Sequence, residues 1–194
     1  MLENIIQDII LAKNNKANIS ALSLALTLPS VLSNIEYGKK TGGTEYKEWF
    51  DKWVYDKYYK QPPSENELIN KAIEATKFDG FNCYALRCSL LHSGNTDLED
   101  DKGRRKIDHF VLCTSETSTH EGDVSICDVS STGTNNVYVS INVVGLIDSI
   151  VSGAREYISA NKEKLEKNAK HPDYRKVLGG IEIDPREDDE TGAG

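Results

Sequence analysis

The 194-residue chain carries a formal charge of −8, with 28% charged and 38% hydrophobic residues. That balance fits a single folded domain with a substantial core and excludes a chain that is disordered throughout. It also opposes nonspecific attraction to nucleic acid, so an RNA-binding role needs a local concentration of positive charge.

No apolar run approaches the roughly 18 residues of a membrane-spanning helix, and the first residues are acidic where a signal peptide is basic. The four cysteines, Cys83, Cys88, Cys113 and Cys127, have no CxxC spacing and lie among apolar residues, as free thiols do in a reducing cytosol. The expectation is a cytoplasmic protein without membrane contact.

Leu2, Ile5, Ile6, Ile9 and Ile10 recur at helical spacing, which predicts an amphipathic helix over 2–13 that Asn14 and Asn15 end. Asn18 or Ser20 can cap a second helix through Ala21, Leu22, Leu24, Ala25, Leu26 and Leu28, apolar on most sides and therefore central. Pro29 suits the first turn of a third, through Val31, Leu32 and Ile35. After a loop over 38–43, Tyr46, Trp49, Phe50, Trp53, Val54 and Tyr58 return at helical intervals. This aromatic stripe reads as core, although Tyr55, Tyr58 and Tyr59 could line a cleft where it opens. Pro62 and Pro63 end it, and Ser64 with Glu67 fits a capping box for a helix running to Thr76.

Asp79-Gly80 leads into the stretch 82–94. Tyr84, Leu86, Leu90 and Leu91 give it the apolar positions of a short helix, and Ser93-Gly94 gives the stop. Arg87 then lies within the helix and His92 at its end. On a regular helix five residues set two side chains about 140° apart, so the pair can meet only if the backbone leaves helical register near His92. Residues 95–105 read as a polar surface loop, and Lys102-Gly103-Arg104-Arg105-Lys106 is the densest basic run in the chain.

Three β-type runs follow, 107–114, 123–129 and 136–141, with short Ser/Thr/Gly-rich connectors that predict an antiparallel hairpin or meander. A long helix begins at Val143 on the stripe Leu146, Ile147, Ile150, Val151, Ala154, Tyr157 and Ile158, and continues into an exposed Lys/Glu-rich end near Asn168. Residues 179–194 read as an acidic, disordered tail. The fold class expected is α+β and mainly helical, in one domain over 1–178, with a small antiparallel sheet of about three strands before the C-terminal helix.

Arg87-Cys88-Ser89-Leu90-Leu91-His92 resembles the Arg-x(4 to 6)-His signature of the HEPN superfamily of helical ribonucleases and nucleotide-handling proteins. Leu24 to Pro29, Tyr46 to Phe50 and Tyr84 to Gly94 together are also similar to a set of uncharacterised bacterial proteins with a YxLRxSxLHxG stretch. The first resemblance implies a HEPN-like bundle and metal-independent RNA cleavage in a bacterial or phage conflict or defence system. It implies Arg87 and His92 as catalytic residues, brought together in a homodimer, with RNA as substrate and an antitoxin or defence-system protein as partner. No cofactor and no metal are implied. Ser89, Tyr84, Arg104, Arg105 and Lys106 are the candidate substrate-binding residues. Cys88 stands where the family usually carries Asn, Asp or His, and a thiol is the weaker hydrogen-bonding group.

Competing readings of the same residues stay open. His92 could cap the helix while Arg87 pairs with Asp79 or Asp97, leaving a catalytically inactive dimeric module that binds nucleotide, RNA or a protein. Cys88 could act as a nucleophile with His92 as its base, since residues four apart face each other on a helix. His92, His109, His120 and His171 are too scattered for a metal site, and no phosphate-cradling glycine loop, dinucleotide fingerprint or hydrolase elbow is present.

Overall fold

In the computed structural model, described for residues 2–38, 42–58, 65–67, 70, 77–94, 107, 109–114 and 138–169, the periodic segments become helices around one shared core. Helix α1 (Leu2–Asn14) buries Ile6 and Ile9, and α2 (Asn18–Ala25) buries Ala21, Leu22 and Ala25. Neither expected residue caps α2. Ala17 holds the N-cap position without a side-chain bond, and the Asn18 amide donates to the Thr114 carbonyl at 3.4 Å, a tertiary contact that takes it away from the helix's own N–H groups. Helix α3 (Leu28–Tyr37) has Pro29 in its first turn and ends on Gly38 at φ 68°.

Asn18–Tyr37 is nevertheless long and apolar enough by composition to cross a membrane, which corrects the expectation that no such run exists. A turn at Leu26 and Thr27 divides it into two helices, and half of it is buried inside the fold, as core helices are.

Helix α4 (Gly43–Trp53) starts where the Glu45 carboxylate accepts from the Gly42 amide at 2.9 Å, and the short α5 (Tyr55–Tyr58) follows a break at Val54. The aromatic stripe is core. Tyr46, Trp49, Phe50, Val54 and Tyr58 are buried, and the Tyr58 ring meets Phe78 edge-on at 5.5 Å, so it lines no cleft. Phe78 also meets Phe50 and Phe110, tying the helices to the sheet. Tyr59 and most of the helix expected from Ser64 to Thr76 lie outside the described residues.

Helix α6 (Gly80–Cys88) passes into one wide π-turn (Ser89–Ser93) that ends on Gly94 at φ 65°. Strands β1 (His109–Cys113) and β2 (Tyr138–Asn142) then pair in parallel, from His109 with Tyr138 to Cys113 with Asn142. The expected antiparallel arrangement is therefore wrong. Parallel neighbours need a connection of about a dozen residues or more, and residues 114–137 supply one. The gaps between successive β-type runs are short, but it is the first run that pairs with the third. The middle run, 123–129, lies outside the described residues.

Strand β2 runs without a linker into α7 (Val143–Ala160), whose first turn is capped by Asn142 Oδ1 accepting from the Gly145 amide at 2.9 Å. Helix α7 packs against α1 to α5. Its approach to the end of α4 depends on Gly153, where a Cβ would stand 2.5 Å from the Trp53 carbonyl. The helix is not continuous to Asn168: it stops at Asn161, and α8 (Lys162–Ala169) begins anew. Lys164 donates to the Glu36 carbonyl and carboxylate and Leu165 packs on the core, which anchors one side of α8, while Lys162, Glu163 and Glu166 are exposed. Residues 170–194, including the expected tail, lie outside the described residues.

Candidate functional site at the end of helix α6

Two contacts at its N-terminus set the position of α6. The Asp79 carboxylate caps the helix by accepting from the Asn82 amide at 3.1 Å, and the Gly80 amide donates to Asp51 at 2.6 Å. Gly80 is required by close approach, since a Cβ there would lie 2.3 Å from the Lys47 carbonyl. Asn82, Cys83, Ala85 and Leu86 face inward. Cys83 is fully buried with its sulfur 3.4 Å from the Tyr46 hydroxyl, and burial pushes its thiol well above the ordinary range. With those positions committed to the core, Tyr84, Arg87 and Cys88 fall at the rim.

Beyond Cys88 the winding changes. The Gly94 amide donates to the carbonyl of Ser89, five residues back, which is the π-type bond that widens a turn by one residue. No residue of this turn is buried, so the expected burial of Leu90 and Leu91 is only partial. The widened turn brings residues five apart over one another in place of residues four apart. Arg87 Nη1 lies 2.9 Å from His92 Nε2, and the imidazole is exposed. A guanidinium only donates, so Nε2 accepts with its lone pair and the ring proton sits on Nδ1.

The alternative pairings are not formed among the described residues. Asp79 is occupied as the N-cap at the opposite end of α6, two turns from Arg87, and Asp97 lies outside the described residues. Cys88 meets Arg87 Nη1 at 3.9 Å and the Tyr84 hydroxyl rather than His92. His92 makes no capping bond to the backbone there; its contact is Arg87. The Arg87 Nε is buried without a hydrogen-bond partner.

Tyr84 forms the floor beside the pair. Its ring stands edge-on to Tyr46 at 5.2 Å, and lies so close to α4 that a Cβ at Gly43 would be 2.8 Å from it. Burial, and then the charge and hydrogen bond of Cys88, raise the pKa of its phenol above the ordinary value. The Arg87 guanidinium lies 6.0 Å from the centre of this ring. Ser89 is partly buried in the π-turn, while Arg104, Arg105 and Lys106 lie outside the described residues.

Lys47 of α4 was not legible as a site residue. Its ammonium stands 4.7 Å from the Phe81 ring centre and 5.3 Å from that of Tyr84. In the sequence it is one polar residue of an aromatic helix, and the packing of α4 on α6, closest at Gly80, brings it to the site. Compared with family models, with curated proteins and with solved structures, the chain gives no match.

Proposed function

We propose that the protein is a metal-independent endoribonuclease of HEPN type, acting in the cytoplasm within a bacterial or phage conflict or defence system. The observation that carries this reading is the 2.9 Å contact between Arg87 and an exposed His92 at a helix end. An incoming phosphodiester accepts hydrogen bonds from the Arg87 guanidinium, which opens that contact and frees the His92 Nε2 lone pair. The lone pair takes the proton of the ribose 2′-hydroxyl, the 2′-oxygen to phosphorus bond forms, and the bond from phosphorus to the 5′-oxygen breaks. Arg87 stabilises the additional negative charge on phosphorus as it develops. The departing 5′-oxygen needs a proton, and His92 of a second copy across a two-fold axis supplies it, so the working unit is a homodimer. Arg87 and His92 between them provide the charge and the proton transfer, and no metal step is required.

The purified protein, incubated with mixed RNA in EDTA, is expected to release fragments ending in 2′,3′-cyclic phosphate. Arg87→Ala and His92→Ala are expected to abolish the fragments while leaving the chain folded. Intact RNA in the presence of folded wild-type protein would overturn the reading.

One observation favours a second reading, a catalytically inactive dimeric module that binds nucleotide, RNA or a protein such as an antitoxin. Cys88 replaces the polar residue that follows the motif arginine in the family, and its sulfur sits 3.9 Å from the Arg87 guanidinium as a weak acceptor. Cyclic phosphate ends that disappear in His92→Ala would exclude it.

A further inference from the structure

Two cations converge on one aromatic ring at the rim of α6. The Lys47 ammonium and the Arg87 guanidinium both lie within 6.0 Å of the centre of Tyr84. The chain has 31 acidic residues against 23 lysines and arginines, and Lys13, Lys52, Lys57 and Lys164 each pair with a carboxylate. Lys47 and Arg87 have no carboxylate partner among the described residues. The ring offsets only part of the charge that these two cations bring to it, so an anion that meets both would be favourable.

The approach of α4 to α6 at this ring is set by two glycines. Gly80 seats the start of α6 on the Lys47 backbone, and Gly43 seats the Tyr84 ring on α4. Along α6, Lys47 stands over Phe81 and Tyr84, and Arg87 follows Tyr84 by most of a turn. The row Phe81, Tyr84, Arg87 spans about 9 Å of helix axis, room for two neighbouring phosphates of a strand.

We infer that Lys47 and Arg87 form a two-point clamp on neighbouring phosphates of one single-stranded RNA backbone, with Tyr84 as the floor between them. The inference rests on the nuclease reading for the identity of the anion. It adds Lys47 as a second phosphate contact beside Arg87, so that a mononucleotide occupies only one of the two points.

The test uses full-length His92→Ala protein, which holds RNA without cutting it, titrated with fluorescein-labelled decauridylate by anisotropy across a salt series. Adding Lys47→Ala is expected to weaken binding about tenfold and to flatten the slope of log affinity against log salt by about 0.7, the share of one phosphate contact. Lys47→Arg is expected to restore both, and uridine monophosphate is expected to compete poorly. If Lys47→Ala and Lys47→Glu bind the decamer as the parent does, with the same slope, the clamp is wrong even where wild-type protein cleaves RNA. If binding depends on Lys47 but wild-type protein cleaves nothing, the clamp stands and the nuclease reading falls. If no form of the protein binds the decamer, both fall.

Discussion

Arg87 Nη1 and His92 Nε2 stand 2.9 Å apart although the five-residue spacing between them would set them on different sides of a regular helix. The π-turn over Ser89–Ser93 resolves the conflict, and it also decides between two chemistries. Regular winding would pair Cys88 with His92, a thiol with a base; the wide turn pairs the guanidinium with the imidazole instead. On the proposed mechanism, His92→Ala is expected to slow RNA cleavage by about 10²–10⁴-fold, the usual share of general acid–base catalysis. Arg87→Lys, which keeps the charge but loses the fork, is expected to fall nearly as far as Arg87→Ala. Single-turnover rates with a defined oligonucleotide check this, and cleavage that survives His92→Ala but is lost in Cys88→Ala would reverse the assignment.

The cysteines should react unequally. Burial, the largest influence, pushes the Cys83 thiol up well beyond its ordinary range, with Asp51 and Asp79 adding to it against the Tyr46 hydrogen bond. Cys88 and Cys113 are only partly buried. Since the thiolate is the reactive form, iodoacetamide at pH 8 is expected to label Cys88 and Cys113 within the time that Cys83 stays unmodified. Peptide mass spectrometry in native buffer and in urea reads the difference, and native labelling of Cys83 at the rate of Cys88 would contradict the packing.

Two glycines should resist substitution for steric reasons. A methyl at Gly80 would meet the Lys47 carbonyl at 2.3 Å, and one at Gly153 the Trp53 carbonyl at 2.5 Å. Both obstacles are backbone and cannot rotate away. Gly80→Ala and Gly153→Ala are each expected to cost about 1–3 kcal/mol by overpacking, measured as a lower urea midpoint. Gly80→Ala should also weaken the RNA binding proposed for Lys47 and Arg87, because it moves Lys47 from α6, whereas Gly153→Ala should not.

Helix α8 is attached in a pH-dependent way. At Glu36, burial pushes the carboxyl up, but the Lys164 charge and the hydrogen bonds of Lys164, Tyr157 and Lys52 outweigh it and hold the group below its ordinary value of 4.5. A carboxylate with a lowered folded value stabilises the native state fully above its unfolded value, and that contribution disappears as pH falls through the folded value. Stability is therefore expected to drop below about pH 4.5, and Glu36→Gln to show a shallower acid limb. Urea midpoints at several pH values between neutrality and pH 3 test this; an acid limb unchanged in Glu36→Gln would remove the ion pair as its cause.

The helices were legible because burial imposes a period on the sequence. Ile6 and Ile9, Leu32 and Ile35, Tyr46 and Trp49, and Leu146 and Ile150 all repeat at the spacing of one apolar face and are all buried. Pro29 and Gly38 marked the ends of α3 for reasons local to the backbone. The sheet was not legible in the same way. Strand periodicity identifies a run but not its neighbour, and β1 with β2 pair across the long segment 114–137. At the site, Arg87 and His92 could be named from residue type and resemblance, yet the turn that joins them has no distinct signature: Ser89-Leu90-Leu91-His92 suits an ordinary helix equally well. Lys47 was invisible for a different reason, because its neighbours Phe81 and Tyr84 come from another helix and reach it through tertiary packing that is closest at Gly80.

The wide turn before Gly94 gives this segment a spare residue. Removing Leu90 would let the chain rewind into uniform helix, where a spacing of four again stacks imidazole above guanidinium. Such a shortened protein is expected to keep the RNA cleavage proposed for it, whereas one lengthened by an alanine at the same place, with no looser winding left to absorb it, is expected to lose that activity while melting normally. The segment would thus tolerate a change in length in one direction only.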